Sequence, residues 1–345
     1  MDFNELIKSE LKKYKIISII GLAKNVSKTT TLNHILQVLK GNYQLGLTSI
    51  GRDGEKYDAI TSLPKPRIFI ETGTIIATAL QSLRNSEVKS EIIKKTGITT
   101  PMGEIHIAKA LNSGFIEIAG PSINSELKQV CDDLLNFGCD LVLIDGAFDR
   151  RSYASPLISQ ATILSTGASV SREIQEVINI TQHTVNLLTL ENEENIQIIN
   201  LANKIISKAK VGIIHKNNSI KILDLLTALD SVEEILDQLN DDAIFLVING
   251  AVTDEFIEDL IKKSDIYKRI TVIVSDATKL FLSKSVFEKY SKKGGCIKVL
   301  DKIKIIVITI NPTSPLGYEF DKLKFLNELK QGITIPIFDL GPSKY

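Results

Sequence analysis

Short apolar runs alternate with longer segments in which apolar residues recur every three or four positions, through most of the 345 residues. The short runs are rich in Ile, Val and Leu and have the length of strands, whereas the longer segments have the period of an amphipathic helix. Apolar strands that alternate with helices form right-handed βαβ units, whose parallel sheet is covered by helices on both faces. The pattern therefore predicts an α/β protein with a doubly wound, mostly parallel sheet.

The predicted strands are the apolar runs at 16–20, 43–49, 67–71, 114–118, 141–145, 161–165, 211–215, 244–249, 270–274 and 303–310. Helical periods lie between most of them, and a charged helix is expected over 230–242. Residues 1–190 are predicted to form a nucleotide-binding domain of the P-loop NTPase type, for the reasons given next. Residues 191–345 begin with a Glu-rich segment and form either a second α/β lobe or a continuation of the same sheet.

The first predicted strand leads into a loop and a helix with the layout of a phosphate-binding loop. Residues 21–31 read GLAKNVSKTTT. In such a loop, backbone N–H groups and the first amides of the helix face a polyphosphate. Lys28 is expected to reach the β- and γ-phosphates as a catalytic residue, and the Thr29 hydroxyl to ligate Mg²⁺. The predicted nucleotide-binding residues are Gly21, Lys24, Asn25, Ser27, Lys28, Thr29 and Thr30.

Acidic residues at strand ends complete the predicted metal site. Asp145 ends the apolar run 141–145, where a Walker-B carboxylate holds Mg²⁺ directly or through water, and it is the second catalytic candidate. An aspartate that caps a turn is the alternative. Asp53, after the second strand, is a further candidate metal ligand. The predicted cofactors are Mg²⁺ and either ATP or GTP. The sequence does not specify the base, because the residues after the strand 303–310 do not show the Asn-Lys-x-Asp pattern that binds guanine in many GTPases.

Polar, Gly-rich loops follow several other predicted strands. Ligands of such sheets bind beyond the carboxyl ends of the strands, so we expect these loops to share one rim with the phosphate-binding loop. Ordinary βα turns are the alternative. Asp254 and Thr278, at later strand ends, are predicted helix N-caps, and His106 near Glu104 is a further candidate site residue. The loops expected on the common rim are 49–55, 71–74, 119–122, 145–151 and 165–169.

The phosphate-binding loop departs from the common pattern in two ways. Ser27 precedes the lysine, where P-loops carry glycine, which leaves room for phosphate oxygens and relaxes the backbone. Serine there is expected to impair fast hydrolysis more than binding, because hydrolysis needs tight positioning. Six residues separate Gly21 from Lys28, one more than usual. This longer form resembles the P-loop branch of dethiobiotin synthetase, the MinD/ParA ATPases and the metallochaperone GTPases, and Lys24 is comparable to the additional lysine of the MinD type.

The composition of the chain limits the classes of partner and the cellular compartment that are expected. The 41 basic and 41 acidic residues cancel, which argues against nucleic acid or a membrane surface as a partner. No apolar run approaches the ~18 residues of a membrane span, and the charged N-terminal segment lacks the apolar core of a signal peptide. The odd number of cysteines, without metal-ligand spacing, favours a reduced cytoplasm. The oligomeric state is not specified.

Four sequence segments, 21–30, 47–55, 99–104 and 311–318, carry a second resemblance, to a more specific family, that spans nearly the whole chain. They resemble the accessory protein encoded with the cobalamin-dependent lysine 5,6-aminomutase and ornithine 4,5-aminomutase of amino-acid-fermenting bacteria. That family is described as one subunit of an aminomutase reactivase, alongside a MutS-like ATPase subunit, and it has glycine at the position of Ser27.

The resemblance implies a chaperone-like, ATP-linked function in which nucleotide states favour an open aminomutase and let its damaged cofactor leave. The alternatives are an ATP-dependent small-molecule enzyme of the dethiobiotin-synthetase type and a degenerate P-loop scaffold without turnover.

Overall fold

A computed structural model of the protein describes residues 2–50, 67–146, 154–225 and 232–341. The chain divides into two compact units. The first consists of Met1–Gln182 together with Lys304–Tyr345, and the second of His183–Ile303. The division thus differs from the predicted one at residues 190 and 191. The second unit is a lobe of its own, and the chain then returns to the first unit and continues its sheet.

The described helices are α1 (Phe3–Glu10), α2 (Lys28–Leu39), α3 (Leu80–Arg84), α4 (Asn124–Asn136), α5 (Ile174–Leu188), α6 (Ile196–Ile206), α7 (Val232–Gln238), α8 (Asp254–Lys263), α9 (Lys284–Lys292) and α10 (Lys322–Gly332). The described strands are β1 (Ile16–Gly21), β2 (Leu45–Ser49), β3 (Ile68–Ile70), β4 (Ile75–Ala79), β5 (Ser90–Thr100), β6 (Gly103–Ala110), β7 (Gly114–Ile116), β8 (Leu141–Asp145), β9 (Ala161–Gly167), β10 (Val211–His215), β11 (Ile220–Leu223), β12 (Ala243–Ile248), β13 (Val252–Thr253), β14 (Thr271–Val274), β15 (Leu280–Phe281), β16 (Cys296–Val299), β17 (Ile305–Asn311) and β18 (Ile337–Asp339).

A nine-stranded sheet forms the centre of the first unit, in the order β18-β17-β9-β1-β8-β2-β4-β6-β5. The strands from β18 to β4 are parallel, and β6 and β5 continue the sheet as an antiparallel hairpin. A large, mostly parallel sheet with helices is therefore confirmed. The hairpin at its edge was not predicted.

Both faces of this sheet are covered by apolar residues of helices. Leu143 packs in one core with Ile35 of α2, and its neighbour Ile144 packs in the other core with Leu134 of α4. Successive residues of a strand point to opposite faces, so an uninterrupted apolar strand is buried twice. Full burial of each such side chain contributes about 1.5–3 kcal/mol to folding, which explains why the central strands consist of Ile, Val and Leu.

The third predicted strand lies outside the large sheet. Among the described strands, β3 pairs only with β7, in a separate antiparallel ribbon, and β4 takes the place beside β2. Gly73 precedes β4, and its carbonyl oxygen accepts a 2.7 Å hydrogen bond from the amide of Gln44, which precedes β2. Residues 71–74 therefore lie at the amino ends of these strands, and the prediction that they belong to the ligand rim is wrong.

The second unit has a five-stranded sheet in the order β11-β10-β12-β14-β16, of which β12, β14 and β16 are parallel. α7 covers the middle of the charged helix predicted at 230–242, of which 230 and 231 lie outside the described residues. The predicted caps are wrong by one or two positions. Thr253 caps α8 and Asp276 caps the short turn Ala277–Lys279, because their side chains accept the hydrogen bonds from the backbone.

Among the helices of the described ranges, none combines the length and the apolar character needed to cross a membrane.

Candidate functional site

The predicted strand, loop and helix are present, and they occupy the middle of the large sheet. β1 lies between β8 and β9 and ends at Gly21, after which residues 22–27 lead into α2. We call residues 21–27 the 21–27 loop. The first N–H groups of a helix have no acceptor within the helix, and the Ser27 side chain does not cap them. The positive end of the α2 dipole therefore lies at the carboxyl end of β1.

Two residues of the 21–27 loop have left-handed backbone conformations. Asn25 has φ 59°, and Ser27 has φ 65° and ψ 28°. Glycine is the usual residue in this region, and a side chain there costs about 1–2 kcal/mol. Ser27 thus adopts a conformation for which glycine is favoured, and its side chain makes that conformation a strained one.

Lys28 folds back over the start of the loop. Its Nζ donates a 3.0 Å hydrogen bond to the carbonyl oxygen of Ala23. A Cβ atom at Gly21 would lie 2.8 Å from Lys28 Cδ and 2.7 Å from Val26 Cγ2, so only glycine leaves room for this arrangement. The loop is closely fitted around the aliphatic part of the lysine, and the ammonium group lies against the loop backbone.

The remaining predicted nucleotide-binding residues fall on the same segment. Thr29 and Thr30 occupy the first turn of α2 and are partly buried, and Lys24 is exposed on the loop. The structure thus brings together Gly21, Lys24, Asn25, Ser27, Lys28, Thr29 and Thr30, since they are consecutive or nearly so along the chain.

Asp145 lies on the same rim of the sheet. It ends β8 and is in register with Ile19 of β1 and Ser49 of β2. Directly after it, the N–H of Gly146 donates to the carbonyl oxygen of Ile19. The carboxyl ends of β1 and β8 are therefore side by side. Asp53, the other predicted metal ligand, is outside the described residues, as are most of the loop 49–55 and residues 147–151.

Two further loops lie at the predicted rim. Gly120 N donates to the hydroxyl of Ser49, which in turn donates to the carbonyl oxygen of Ile118, so this segment covers the end of β2. Residues 165–169 end β9, and Leu22 N donates to the carbonyl oxygen of Ser165. The prediction of a composite rim is confirmed for these two loops.

Side chains from β17 and from the segment that follows β9 contact the 21–27 loop, and these contacts were not predicted. The Asn25 carbonyl oxygen accepts hydrogen bonds from Ser169 Oγ at 3.2 Å and from Asn311 Nδ2 at 3.1 Å. Asn311 ends an apolar run, as a rim residue should, but 286 positions separate it from Asn25. No local pattern could have paired them.

His106 and Glu104 lie next to each other on β6, away from β1. His106 Nε2 is 3.3 Å from Glu104 Oε2, and the same carboxylate accepts from Gly97 N. The hydrogen bond from the Gly97 N–H lowers the pKa of the Glu104 carboxyl most, and the hydrogen bond from His106 lowers it further. His106 is buried, and its Nδ1 has no hydrogen-bond partner among the residues that the structure describes.

Within the described ranges, no group of three or more His, Cys, Asp or Glu side chains is arranged to hold a metal ion. No protein-family model, curated protein or solved structure matches this chain.

Proposed function

We propose that this protein binds ATP or GTP together with Mg²⁺ at the 21–27 loop, as a member of the P-loop NTPase fold. The observation that supports it most strongly is the fit between Gly21 and Lys28. Three features lie at the carboxyl end of the central parallel strand β1. Gly21 is a position where a Cβ atom would collide with Lys28, and Lys28 folds back along the loop. The N-terminus of α2, which Ser27 does not cap with its side chain, follows directly.

The proposal assigns roles to the loop backbone and to the side chains of Lys28, Thr29 and Asp145. Backbone N–H groups of the loop and of the first turn of α2 bind the phosphates, and Lys28 neutralises their charge. The Thr29 hydroxyl and Asp145 hold Mg²⁺. A nucleotide-bound Mg²⁺ takes only one or two carboxylates, because phosphates and water supply its other ligands.

Slow turnover is part of the proposal. In this proposal, Ser27 stands where common P-loops have glycine, so a left-handed residue with a side chain belongs to the loop that binds the phosphates. Hydrolysis depends more strongly than binding on exact placement of the reacting groups. We therefore expect binding to survive and chemistry to be slow without a partner.

The biological role that we propose is that of a reactivase subunit in the cytoplasm. It would act on a cobalamin-dependent amino-acid aminomutase together with a MutS-like ATPase subunit, and the four sequence segments support this part. One of those segments begins with Asn311, whose side chain contacts the 21–27 loop.

A second candidate is an ATP-dependent enzyme of the dethiobiotin-synthetase type. Its support is the spacing of six residues between Gly21 and Lys28, which resembles the P-loop of that branch.

Turnover measurements separate the two candidates. Mg-ATP hydrolysis by the protein is measured under three conditions: without additions, with an inactivated aminomutase and its ATPase partner, and with small carboxylates or amines. If only the added proteins stimulate hydrolysis, the result supports the reactivase. If only a small molecule stimulates it, the result supports the enzyme.

A further inference from the structure

We propose that Ser169 and Asn311 are positioning residues that hold the 21–27 loop in its phosphate-binding conformation. The nucleotide site would then depend on the part of the chain that returns to the first unit after residue 303. This inference rests on the proposed function, since it assigns a ligand-binding purpose to the loop.

The two side chains meet at a single backbone atom. Ser169 Oγ and Asn311 Nδ2 lie 3.2 and 3.1 Å from the carbonyl oxygen of Asn25. A carbonyl oxygen has two lone pairs, so it accepts both hydrogen bonds at once. The donors come from the ends of neighbouring strands, because Gly167 of β9 is in register with Asn311 of β17.

Close contact of these strand ends makes the shared acceptor possible. A Cβ at Gly167 would lie 2.2 Å from the carbonyl oxygen of Asn311, so the two backbones approach as only glycine permits. Beyond this point, Tyr318 OH donates a 2.6 Å hydrogen bond to the carbonyl oxygen of Ala168.

Holding the Asn25 carbonyl also sets the direction of the next N–H group. The peptide unit is planar and trans, so the N–H of Val26 points opposite to the Asn25 carbonyl. With the carbonyl turned toward Ser169 and Asn311, this N–H is directed away from them. Free rotation of this peptide unit would remove a defined donor from the loop.

The loop needs such support because of its composition. Residues 22–27 contain no glycine, yet Asn25 and Ser27 are left-handed. Strained residues of this kind persist only where their surroundings over-determine the conformation. Two donors on the Asn25 carbonyl provide that constraint at the tip of the loop.

Two measurements test the inference. The first is amide hydrogen exchange, without nucleotide, in peptides that span residues 20–31. The second is the Kd for fluorescent Mg-ATP.

The variants are Asn311→Ala, Ser169→Ala and the double substitution. Asn112→Ala is the matched control, because its side-chain amide also donates to a backbone carbonyl oxygen, that of Ser113, which is not part of the 21–27 loop. Peptides of α4 report on global folding, and Ser169→Ala, outside any strand, serves if Asn311→Ala does not fold.

We expect faster exchange of the loop peptides and weaker binding, about tenfold for Asn311→Ala and about threefold for Ser169→Ala. The double variant should lose more than the product of the two, because either donor alone still holds the carbonyl. Asn112→Ala should match the wild type. The inference is overturned if the double variant keeps wild-type affinity, whatever its exchange. If the wild type binds no nucleotide while exchange responds as expected, the proposed function fails and the structural support of the loop stands.

Discussion

The side-chain hydroxyls of Thr31 and Thr309 lie 2.9 Å apart, although 278 positions separate them along the chain. Thr309 also lies 2.8 Å from the hydroxyl of Ser165, and Thr31 donates to the carbonyl oxygen of the strained Ser27. These threonines and Ser165 are buried. A chain of hydroxyl groups therefore joins the start of α2 to β9 and β17 beneath the 21–27 loop.

Thr309→Val should destabilise the protein by about 1–3 kcal/mol, because it removes the shared partner of two buried hydroxyls without changing the size of the side chain. The free energy of unfolding in urea measures this loss. Thr99→Val, on the exposed edge of the hairpin, is the control and should stay within about 0.5 kcal/mol. Equal effects of the two substitutions would contradict a structural role for the hydroxyl chain.

Ser27→Gly should stabilise the protein by about 1 kcal/mol, since glycine adopts the left-handed conformation without strain. Ser27→Ala keeps the strain and should not gain stability. Thermal unfolding compares the two variants directly. Under the proposed function, Ser27→Gly should also raise Mg-ATP hydrolysis several-fold at nearly unchanged affinity. A loss of stability in Ser27→Gly would show that the serine side chain supports the loop.

Gly21→Ala should weaken nucleotide binding by at least about tenfold, because the new Cβ displaces the Lys28 side chain from its place against the loop. Titration with fluorescent Mg-ATP measures the change. Gly250→Ala is the control, since its Cβ would enter open space at an ordinary φ. If Gly21→Ala binds as tightly as this control, the position of Lys28 does not matter for binding.

The stability of the second unit should fall at acidic pH through Glu193. Burial raises the pKa of this carboxyl, but hydrogen bonds from Asn195 N and from the Lys298 ammonium group outweigh burial, and the pKa is lowered overall. The contribution of such a group is complete above the unfolded-state pKa of about 4.3 and is lost as the pH falls through the lower, folded-state pKa.

Glu193→Gln tests this dependence. It should cost about 1–3 kcal/mol at pH 7, because it breaks the ion pair between the buried Glu193 and the partly exposed Lys298, and the difference from the wild type should shrink below about pH 4. Urea unfolding between pH 7 and pH 3 gives both values. Glu194→Gln alters an exposed neighbour and serves as the control. A difference between Glu193→Gln and the wild type that stays constant over this range would refute the assignment.

Burial explains which strands could be predicted. β1 and β8 are apolar on both faces and stand out from their surroundings, so their runs were placed almost to the residue. β5 is an edge strand, mostly exposed and rich in polar residues, and nothing in its pattern separates it from a loop. β3 could be predicted as a strand from its apolar run, but its pairing could not, because the run does not indicate which strand lies beside it.

The same distinction applies to the site. The 21–27 loop and the start of α2 are one continuous segment with a recognisable spacing, so their residues could be named in advance. Asp145 could be placed because it ends an apolar run. Ser169 and Asn311 reach Asn25 only through the order of β9 and β17 in the sheet, which local patterns do not specify.

Nucleotide binding to the wild type and to Lys28→Ala tests the proposed function most directly. Lys40→Ala, at the opposite end of α2, is the matched control. Calorimetric titration with Mg-ATP and Mg-GTP should show binding of at least one nucleotide to the wild type and to Lys40→Ala. Lys28→Ala should bind about a hundredfold more weakly, because it lacks the charge that faces the phosphates. Absence of binding to the wild type, or equal binding by Lys28→Ala, would contradict a nucleotide site at the 21–27 loop.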